Sequence, residues 1–265
     1  MATVGGLQVP TSKPLHQRAM DLILLHAFPL HSGMWDAQRE ALLPHCNLRT
    51  PNFPGFGGAP LIDAAEWTIP AMAQLVLQQL NKLGIERCVI GGLSMGGYVA
   101  FECWRLFPER IAGFILANTM ASPDTPETRR GRYVAIGQLR NGGYQKFAEG
   151  MIPRMVSQTT KSERMQAMRQ IGKLYQQADP AAVIAALGAL AHRNDSRPIL
   201  AGITVPTAVI VGSDDAVTKV EDAQLMADAI PNASLAVLPT AGHLSNIEVP
   251  EDFNQRVISF LQTVR

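Results

Sequence analysis

Short, largely apolar runs alternate with amphipathic helical windows at both ends of the 265-residue chain, and this alternation is its most constraining feature. Leu22–Leu25, Cys88–Ile90 and Thr207–Val211 have strand length, and apolar residues recur at helical spacing within 69–83. Continuous apolar strands are typical of a parallel sheet covered on both faces. The pattern therefore predicts an α/β fold with a mostly parallel, doubly wound sheet. The other predicted strands are 47–50, 113–116 and 234–238.

The alternation of predicted strands and helices stops between Thr119 and Ser196, where four helical windows follow one another without a strand candidate. These windows are 129–139, 144–155, 162–176 and 181–191. A helical block inserted into an α/β repeat is expected to form a separate layer over the sheet. We therefore predict a core of residues 1–118 and 197–265, with an inserted helical cap, or lid, of residues 119–196.

Charge and composition argue against several classes of function. Lys and Arg total 23 against 22 for Asp and Glu, so no basic surface for nucleic acid or an acidic membrane is indicated. No apolar run is long enough to span a membrane, and the N-terminus lacks a signal-peptide pattern. An odd number of cysteines at unrelated spacings predicts reduced core thiols and a cytoplasmic location. The cysteines are Cys46, Cys88 and Cys103.

A glycine-rich segment, Gly91 to Gly97, places a serine between a predicted strand and a predicted helix. The sequence around Ser94 is G-x-S-x-G, with Gly92 and Gly96 as its glycines. A nucleophile on such a sharp turn has a strained backbone, and its neighbours must lack bulk. Gly97 would let the helix pack closely on the sheet. The helix start also directs N–H groups at a developing anion, so Ser94 is predicted to be the nucleophile.

A serine nucleophile needs a base and an acid that orients the base. His243 follows the last predicted strand and precedes the last helix, which is the expected place for the base. The acid is expected in the loop after strand 207–211, where Asp214 and Asp215 are adjacent. Either could be a turn residue that bonds its own backbone, so spacing leaves both open. Surface or helix-end positions are predicted for His16, His45 and His192.

Four ordered motifs together resemble the α/β-hydrolase superfamily: 26–29, Gly92 to Gly96, Gly212 to Asp215 and Gly242-His243. The resemblance covers nearly the whole chain outside the helical block, and it implies the α/β-hydrolase fold. In relatives the acid usually stands three residues after a glycine, which implies Asp215. The resemblance also implies an oxyanion hole formed by the backbone amides of Phe28 and Met95.

Two positions outside the predicted triad depart from the superfamily pattern. Ala27 stands where glycine is commonest, and Asn52 stands where the D-x-x-G-x-G loop usually has aspartate. Both changes are expected to affect the entrance loops. His26 is interpreted as a structural residue whose imidazole braces its loop.

The run from His243 to Glu248 resembles 3-oxoadipate enol-lactonases and related esterases. Together the motifs predict a serine hydrolase that cleaves a small-molecule carboxylic ester or lactone through an acyl-enzyme. No cofactor or metal is implied, and the oligomeric state stays open between monomer and homodimer. Ser94 argues against dehalogenases and epoxide hydrolases, which use aspartate, and Leu93 argues against carbon–carbon bond hydrolases. The open alternatives are a specific 3-oxoadipate enol-lactonase, a slow-turnover ligand receptor, a carbon–carbon bond hydrolase and a perhydrolase.

The substrate pocket is expected between the carboxyl end of the sheet and the helical cap. Apolar side chains from both layers are candidates for its lining, with ordinary core packing as the alternative for each. The predicted lining residues are Met34, Trp35, Met120, Ile136 and Met151.

Overall fold

Six parallel strands form one sheet in the computed structural model, which describes residues 20–264. In chain order the strands are β1 (Asp21–Leu25), β2 (Asn47–Arg49), β3 (Cys88–Leu93), β4 (Ile111–Ala117), β5 (Thr207–Gly212) and β6 (Ala233–Leu238). Their spatial order is β2-β1-β3-β4-β5-β6. The predicted α/β class and parallel sheet are confirmed. The predicted surface position of His16 lies outside the described residues, as does the start of the predicted core.

The sheet is covered on both faces, which explains why its central strands are continuously apolar. Every residue of β3, β4 and β5 is buried. Leu24 and Val89 belong to one buried cluster, whereas their neighbours Leu25 and Ile90 belong to another. Because successive side chains of a strand point to opposite faces, the two clusters lie on opposite sides of the sheet.

Helices follow most strands and provide both covering layers. They are α1 (Asp36–Leu42), α2 (Ile69–Lys82), α3 (Met95–Leu106), α4 (Pro126–Arg140), α5 (Tyr144–Met151), α6 (Gln158–Glu163), α7 (Met165–Gln176), α8 (Pro180–Ala191), α9 (Val220–Ala229), α10 (Ser245–Glu248) and α11 (Pro250–Leu261). Local sequence sets their starts: Thr68, for example, caps α2 by accepting a hydrogen bond from the Ala71 amide at 3.1 Å. In residues 20–264 no helix is both long and apolar enough to cross a membrane.

The segment between β4 and β5 contains the five helices α4 to α8 and no strand. Two of the predicted helical windows are shorter or divided. The window 144–155 ends as an α-helix at Met151, because Pro153 lacks an amide hydrogen and its ring opposes a continuing helix. The window 162–176 is interrupted at Arg164, whose backbone (φ −109°, ψ 59°) is not helical, so α7 starts afresh at Met165.

Candidate active site

Ser94 lies at the sharp turn between β3 and α3. Its backbone has φ 55° and ψ −113°, a region that residues other than glycine seldom occupy. Hydrogen bonds from both sides hold this conformation: the Ser94 amide donates to the Ala117 carbonyl at 3.0 Å, and the Thr119 hydroxyl donates to the Ser94 carbonyl at 2.9 Å. The G-x-S-x-G motif predicts such a strained turn, and the structure has one at this residue.

The glycines around Ser94 are required by close backbone contacts. A Cβ atom on Gly92 would lie 2.1 Å from the carbonyl carbon of Gly96, and one on Gly96 would lie 2.2 Å from the carbonyl oxygen of Leu25. These clashes are with backbone atoms, so a side-chain rearrangement cannot relieve them. The turn at Ser94 can therefore form only if both flanking positions lack a side chain.

His243 and Asp215 form a buried pair at the carboxyl ends of β5 and β6. The distance between His243 Nδ1 and Asp215 Oδ2 is 2.8 Å, and neither side chain is exposed to solvent. Asp215 Oδ2 also accepts from the Thr218 hydroxyl at 2.7 Å and from Asn118 Nδ2 at 2.9 Å. Its Oδ1 accepts from the amides of Val217 and Thr218. The carboxylate is thus held in one orientation by donors on both of its oxygen atoms.

Of the two adjacent aspartates, only Asp215 contacts the histidine. Asp214 is exposed, and its Oδ1 accepts from the neighbouring Ser213 hydroxyl at 2.7 Å. The Asp214 amide donates to the Ala241 carbonyl at 2.8 Å, which ties its backbone to the loop before His243. The two residues therefore have different structural roles.

The electrostatic surroundings keep Asp215 ionised. Burial opposes ionisation and is the largest influence, but the charge of His243 and hydrogen bonds from His243, Asn118 and Thr218 outweigh it and lower the pKa of Asp215 to about 2. A carboxylate accepts the Nδ1–H of His243, which leaves Nε2 as the basic nitrogen. In the described part of the chain, this buried Nε2 has no hydrogen-bond partner. No hydrogen bond therefore joins Nε2 to the Ser94 hydroxyl in this structure.

The predicted oxyanion donors lie at the ends of two adjacent strands. Phe28 is in the loop after β1, and Met95 is the first residue of α3. Among residues 20–264, neither amide donates to a protein acceptor. The Met95 amide is at a helix N-terminus, where unpaired N–H groups and the helix dipole favour negative charge. Both amides can therefore donate to an oxygen that comes to this edge of the sheet.

His26 is buried and joins the loop after β1 to the loop around Phe53. The Phe53 amide donates to Nε2 at 3.0 Å, so Nδ1 carries the hydrogen and donates to the Ala27 carbonyl at 3.0 Å. Burial lowers the pKa of His26 to about 4, against a smaller opposing effect of the Ala27 carbonyl. His26 is therefore neutral at physiological pH and braces its loop, in agreement with its structural interpretation.

Asn52, the departure from the usual aspartate, uses both halves of its amide. Its Oδ1 accepts from the Ser32 amide at 2.7 Å, and its Nδ2 donates to the Gly57 carbonyl at 3.1 Å. An aspartate could accept the first bond but could not donate the second. The asparagine thus closes the 52–57 loop on itself.

The predicted lining residues occupy different surroundings. Trp35 is buried with its ring centroid 6.1 Å from that of Phe253, and the Sδ atom of the buried Met34 accepts from the Ala27 amide at 3.2 Å. Met120 and Met151 are half-buried beside the larger of the two clusters. Ile136 lines a cavity of about 640 Å³ between α4, α8 and residues 64–70. The walls of this cavity include none of the three predicted triad residues.

Asn118 is a site residue that sequence reasoning missed. Its Nδ2 donates to Asp215 Oδ2 and, at 3.1 Å, to the Gly242 carbonyl, while its Oδ1 accepts from the Ser245 hydroxyl at 2.5 Å. A signal was available, because Asn118 is the first polar residue after the apolar strand β4. The carboxyl end of a strand in such a sheet is where functional side chains gather. Within residues 20–264, no cluster of His, Cys, Asp and Glu could hold a metal ion.

Comparisons with known proteins identify the family of this chain and its relatives. Residues 22–256 match the sequence profile of the Alpha/beta hydrolase family. The chain is 27% identical over 246 residues to a pimeloyl-[acyl-carrier protein] methyl ester esterase of Yersinia enterocolitica, covering 91% of this chain and 93% of that protein. A malate-bound thermophilic esterase from Thermogutta terrifontis has a TM-score of 0.89 at 38% identity, covering 92% of this chain and 90% of that chain. The enol-lactonase from Burkholderia xenovorans LB400 has a TM-score of 0.86 at 27% identity, covering 93% of each chain.

Proposed function

The chain belongs to the alpha/beta hydrolase family, and from that membership we propose that it cleaves a carboxylic ester or lactone through an acyl-enzyme formed on Ser94. The relatives named above are two esterases and an enol-lactonase, and the chain is a carboxylic ester hydrolase of the same type. The observation that carries the proposed mechanism is the buried contact of 2.8 Å between His243 Nδ1 and Asp215 Oδ2, with Nε2 unpaired.

The acylation step uses the three side chains in distinct roles. Ser94 Oγ attacks the substrate carbonyl carbon while His243 Nε2 takes the hydroxyl proton. Asp215 remains ionised and stabilises the imidazolium that forms. The resulting oxyanion accepts hydrogen bonds from the amides of Phe28 and Met95, each typically worth about 2.7–4 kcal/mol in the transition state.

The tetrahedral intermediate then breaks its bond to the leaving oxygen. The His243 imidazolium returns its proton to that oxygen, so an alcohol leaves, or in a lactone the ring opens. In deacylation His243 takes a proton from water, whose oxygen attacks the acyl carbon to form a second tetrahedral intermediate. The bond from the acyl carbon to Ser94 Oγ then breaks, the His243 imidazolium returns the proton to that oxygen, and the acid is released. The cycle is balanced in protons and needs no redox partner.

We further propose that residues 119–196 form a cap over this site and that 1–118 and 197–265 form the core. Supporting this division, the segment between β4 and β5 contains helices and no strand, and its Met155 carbonyl accepts from the His243 amide at 3.0 Å. Met120, Ile136 and Met151 come from the proposed cap, whereas Met34 and Trp35 come from the core. The natural substrate would lie between the two layers.

Enol-lactone hydrolysis is the second candidate, favoured by the likeness to the enol-lactonase over 93% of the chain. It uses the same groups, because opening an enol-lactone also passes through an acyl-enzyme. A lactone panel assayed beside simple esters separates the two specificities.

The proposal is tested by steady-state turnover of p-nitrophenyl esters and lactones and by fluorophosphonate labelling. We expect Ser94→Ala to fold, to lose labelling and to lower kcat about 10⁴- to 10⁶-fold. Ser162→Ala is the matched control, because Ser162 is exposed and donates only to carbonyls of its own helix. Near-normal turnover by Ser94→Ala would overturn the mechanism. A single burst of product without continued turnover would instead favour a slow-turnover receptor.

A further inference from the structure

Glu248, the last residue of α10, has a buried carboxylate with four hydrogen-bond donors. One carboxylate oxygen, Oε1, accepts from the amides of Gly242 and Leu244 at 3.0 and 3.1 Å. These two amides flank His243 in the chain. One oxygen atom of Glu248 therefore fixes the backbone on both sides of the histidine.

The other oxygen, Oε2, accepts from the helical segment between β4 and β5. The Ser157 amide donates to it at 2.8 Å, and the Thr160 hydroxyl donates at 2.7 Å. Ser157 is the N-cap of α6 and Thr160 lies in its first turn. The carboxylate thus connects the His243 loop to the start of α6.

Further contacts join the same two segments. The Met155 carbonyl accepts from the His243 amide at 3.0 Å, and the Ser157 hydroxyl donates to the Thr240 carbonyl at 2.8 Å. Arg164 donates to the same carbonyl at 2.7 Å. Among these contacts, only the Glu248 carboxylate binds both segments with one rigid group of atoms: Oε1 binds the His243 loop, and Oε2 binds the start of α6.

The Glu248 carboxylate is stabilised by four neutral hydrogen-bond donors. In residues 20–264 no Lys, Arg or His nitrogen lies within ion-pair distance of this carboxylate. A buried carboxylate without a cation is costly unless its lone pairs are satisfied, and here four donors satisfy them. An apolar side chain would leave those donors unpaired. The arrangement therefore depends on both segments being in place together.

We propose that Glu248 is a positioning residue that sets the His243 loop and couples it to the seating of α6. The inference rests on the proposed function, since it takes His243 as the base. When residues 155–160 are docked, Glu248 holds Gly242 and Leu244 and thereby fixes His243 against Asp215. When they withdraw, two of the four donors leave and the loop loses part of its support.

Glutamine at position 248 separates the two halves of this role. The amides of Gly242 and Leu244 can only donate, whereas the Thr160 hydroxyl can rotate and accept. The single oxygen of a glutamine therefore stays with the His243 loop, and its NH₂ faces Thr160. Glu248→Gln keeps the loop bonds and leaves the Ser157 amide unpaired, while Glu248→Ala removes support on both sides.

The test compares Glu248→Ala, Glu248→Gln and the conservative control Thr160→Ser by kcat and KM on p-nitrophenyl acetate. It also records the low-field proton resonance of the His243 Nδ1–H. For Glu248→Ala we expect kcat to fall about 100-fold with little change in KM, because a displacement near 1 Å costs about that much, and the resonance to be lost. Glu248→Gln should keep the resonance with an intermediate loss of kcat, and Thr160→Ser should match the wild type.

A folded Glu248→Ala protein with wild-type kcat and an intact resonance would overturn the proposal. If Glu248→Ala does not fold, a Glu248→Gln protein that loses the resonance would do so equally, because its loop bonds should survive. The resonance reports the His243 loop whether or not Ser94 turns over an ester. Failure of the wild type to turn over or to label at Ser94 would therefore count against the proposed function, and not against the role of Glu248.

Discussion

The side-chain amide of Asn118 donates to the carboxylate of Asp215 at 2.9 Å, from a backbone with φ 42°. The same amide donates to the Gly242 carbonyl, next to His243. One side chain at the end of β4 therefore connects Asp215, the proposed acid after β5, with the loop after β6. The orientation of Asp215 is thus set by three successive strands of the sheet and not by its own loop alone.

The adjacent aspartates provide a matched pair of substitutions. We expect Asp215→Asn to lower kcat on p-nitrophenyl esters about 10⁴-fold, because an amide stabilises the wrong tautomer of His243 and cannot balance its charge. Asp214→Asn should leave kcat near that of the wild type, since Asp214 is exposed and contacts only Ser213 through its side chain. Equal losses in the two variants would contradict the assignment.

The lowered pKa of Asp215 predicts that the folded protein loses stability in acid. Its pKa is lowered from 3.8 to about 2 in the folded protein, so the ionised form favours folding above pH 3.8. That contribution, about 2 kcal/mol, should disappear as the pH falls from about 4 to 2. Urea unfolding of the wild type and Asp215→Asn across this window measures it. The variant should show a smaller decline, and parallel curves for the two proteins would refute the prediction.

Two glycine-to-alanine changes should have opposite effects on stability. Gly96→Ala places a Cβ 2.2 Å from the Leu25 carbonyl oxygen, and we expect it to destabilise the fold by about 3 kcal/mol. Gly131 lies inside α4, and a Cβ added there would extend into open space. Gly131→Ala should therefore stabilise by about 0.5–1 kcal/mol through helix propensity. Thermal and urea unfolding of both variants test the contrast.

A buried ion cluster beside α3 should contribute strongly to stability. The Asp124 side chain is fully buried and accepts from Arg132 and Arg193, and the Arg193 guanidinium lies 4.4 Å above the Tyr98 ring. Asp124→Asn leaves two guanidinium groups poorly paired, so we expect a loss of about 3–5 kcal/mol in urea unfolding. Asp195→Asn, which breaks a surface pair, is the control and should shift the unfolding midpoint little. A similar midpoint shift in both variants would argue against the cluster.

The sheet and the turn at Ser94 could be predicted because their signals are local. A continuous apolar strand, a glycine-flanked serine and a following helix stand next to one another in the chain. Strand β2 ends one residue before its predicted boundary, at Arg49. The break at Arg164 has no comparable signal in the sequence, whereas Pro153 is a local signal for the end of α5 that the predicted window 144–155 did not use.

Residues that support the site were not predictable in the same way. Asn118 and Gly242 are separated by 124 positions, and Glu248 and Ser157 by 91. A polar residue after a strand indicates only that it lies at the functional edge of the sheet. Which partner it meets there depends on how distant loops pack, so the acceptor and donor pairs had to come from the structure.

The hydrogen bond from the His243 amide to the Met155 carbonyl limits how this protein can be recombined with its relatives. Chimeras that exchange the whole segment between β4 and β5 in search of new specificity would also replace the residues that position the backbone acceptor of His243, the proposed base. A transplant that retains residues 155–160 from the parent would preserve the contacts with the His243 loop and Glu248 while the remaining helices are replaced. The boundary for recombination therefore lies inside the insertion and not at its ends.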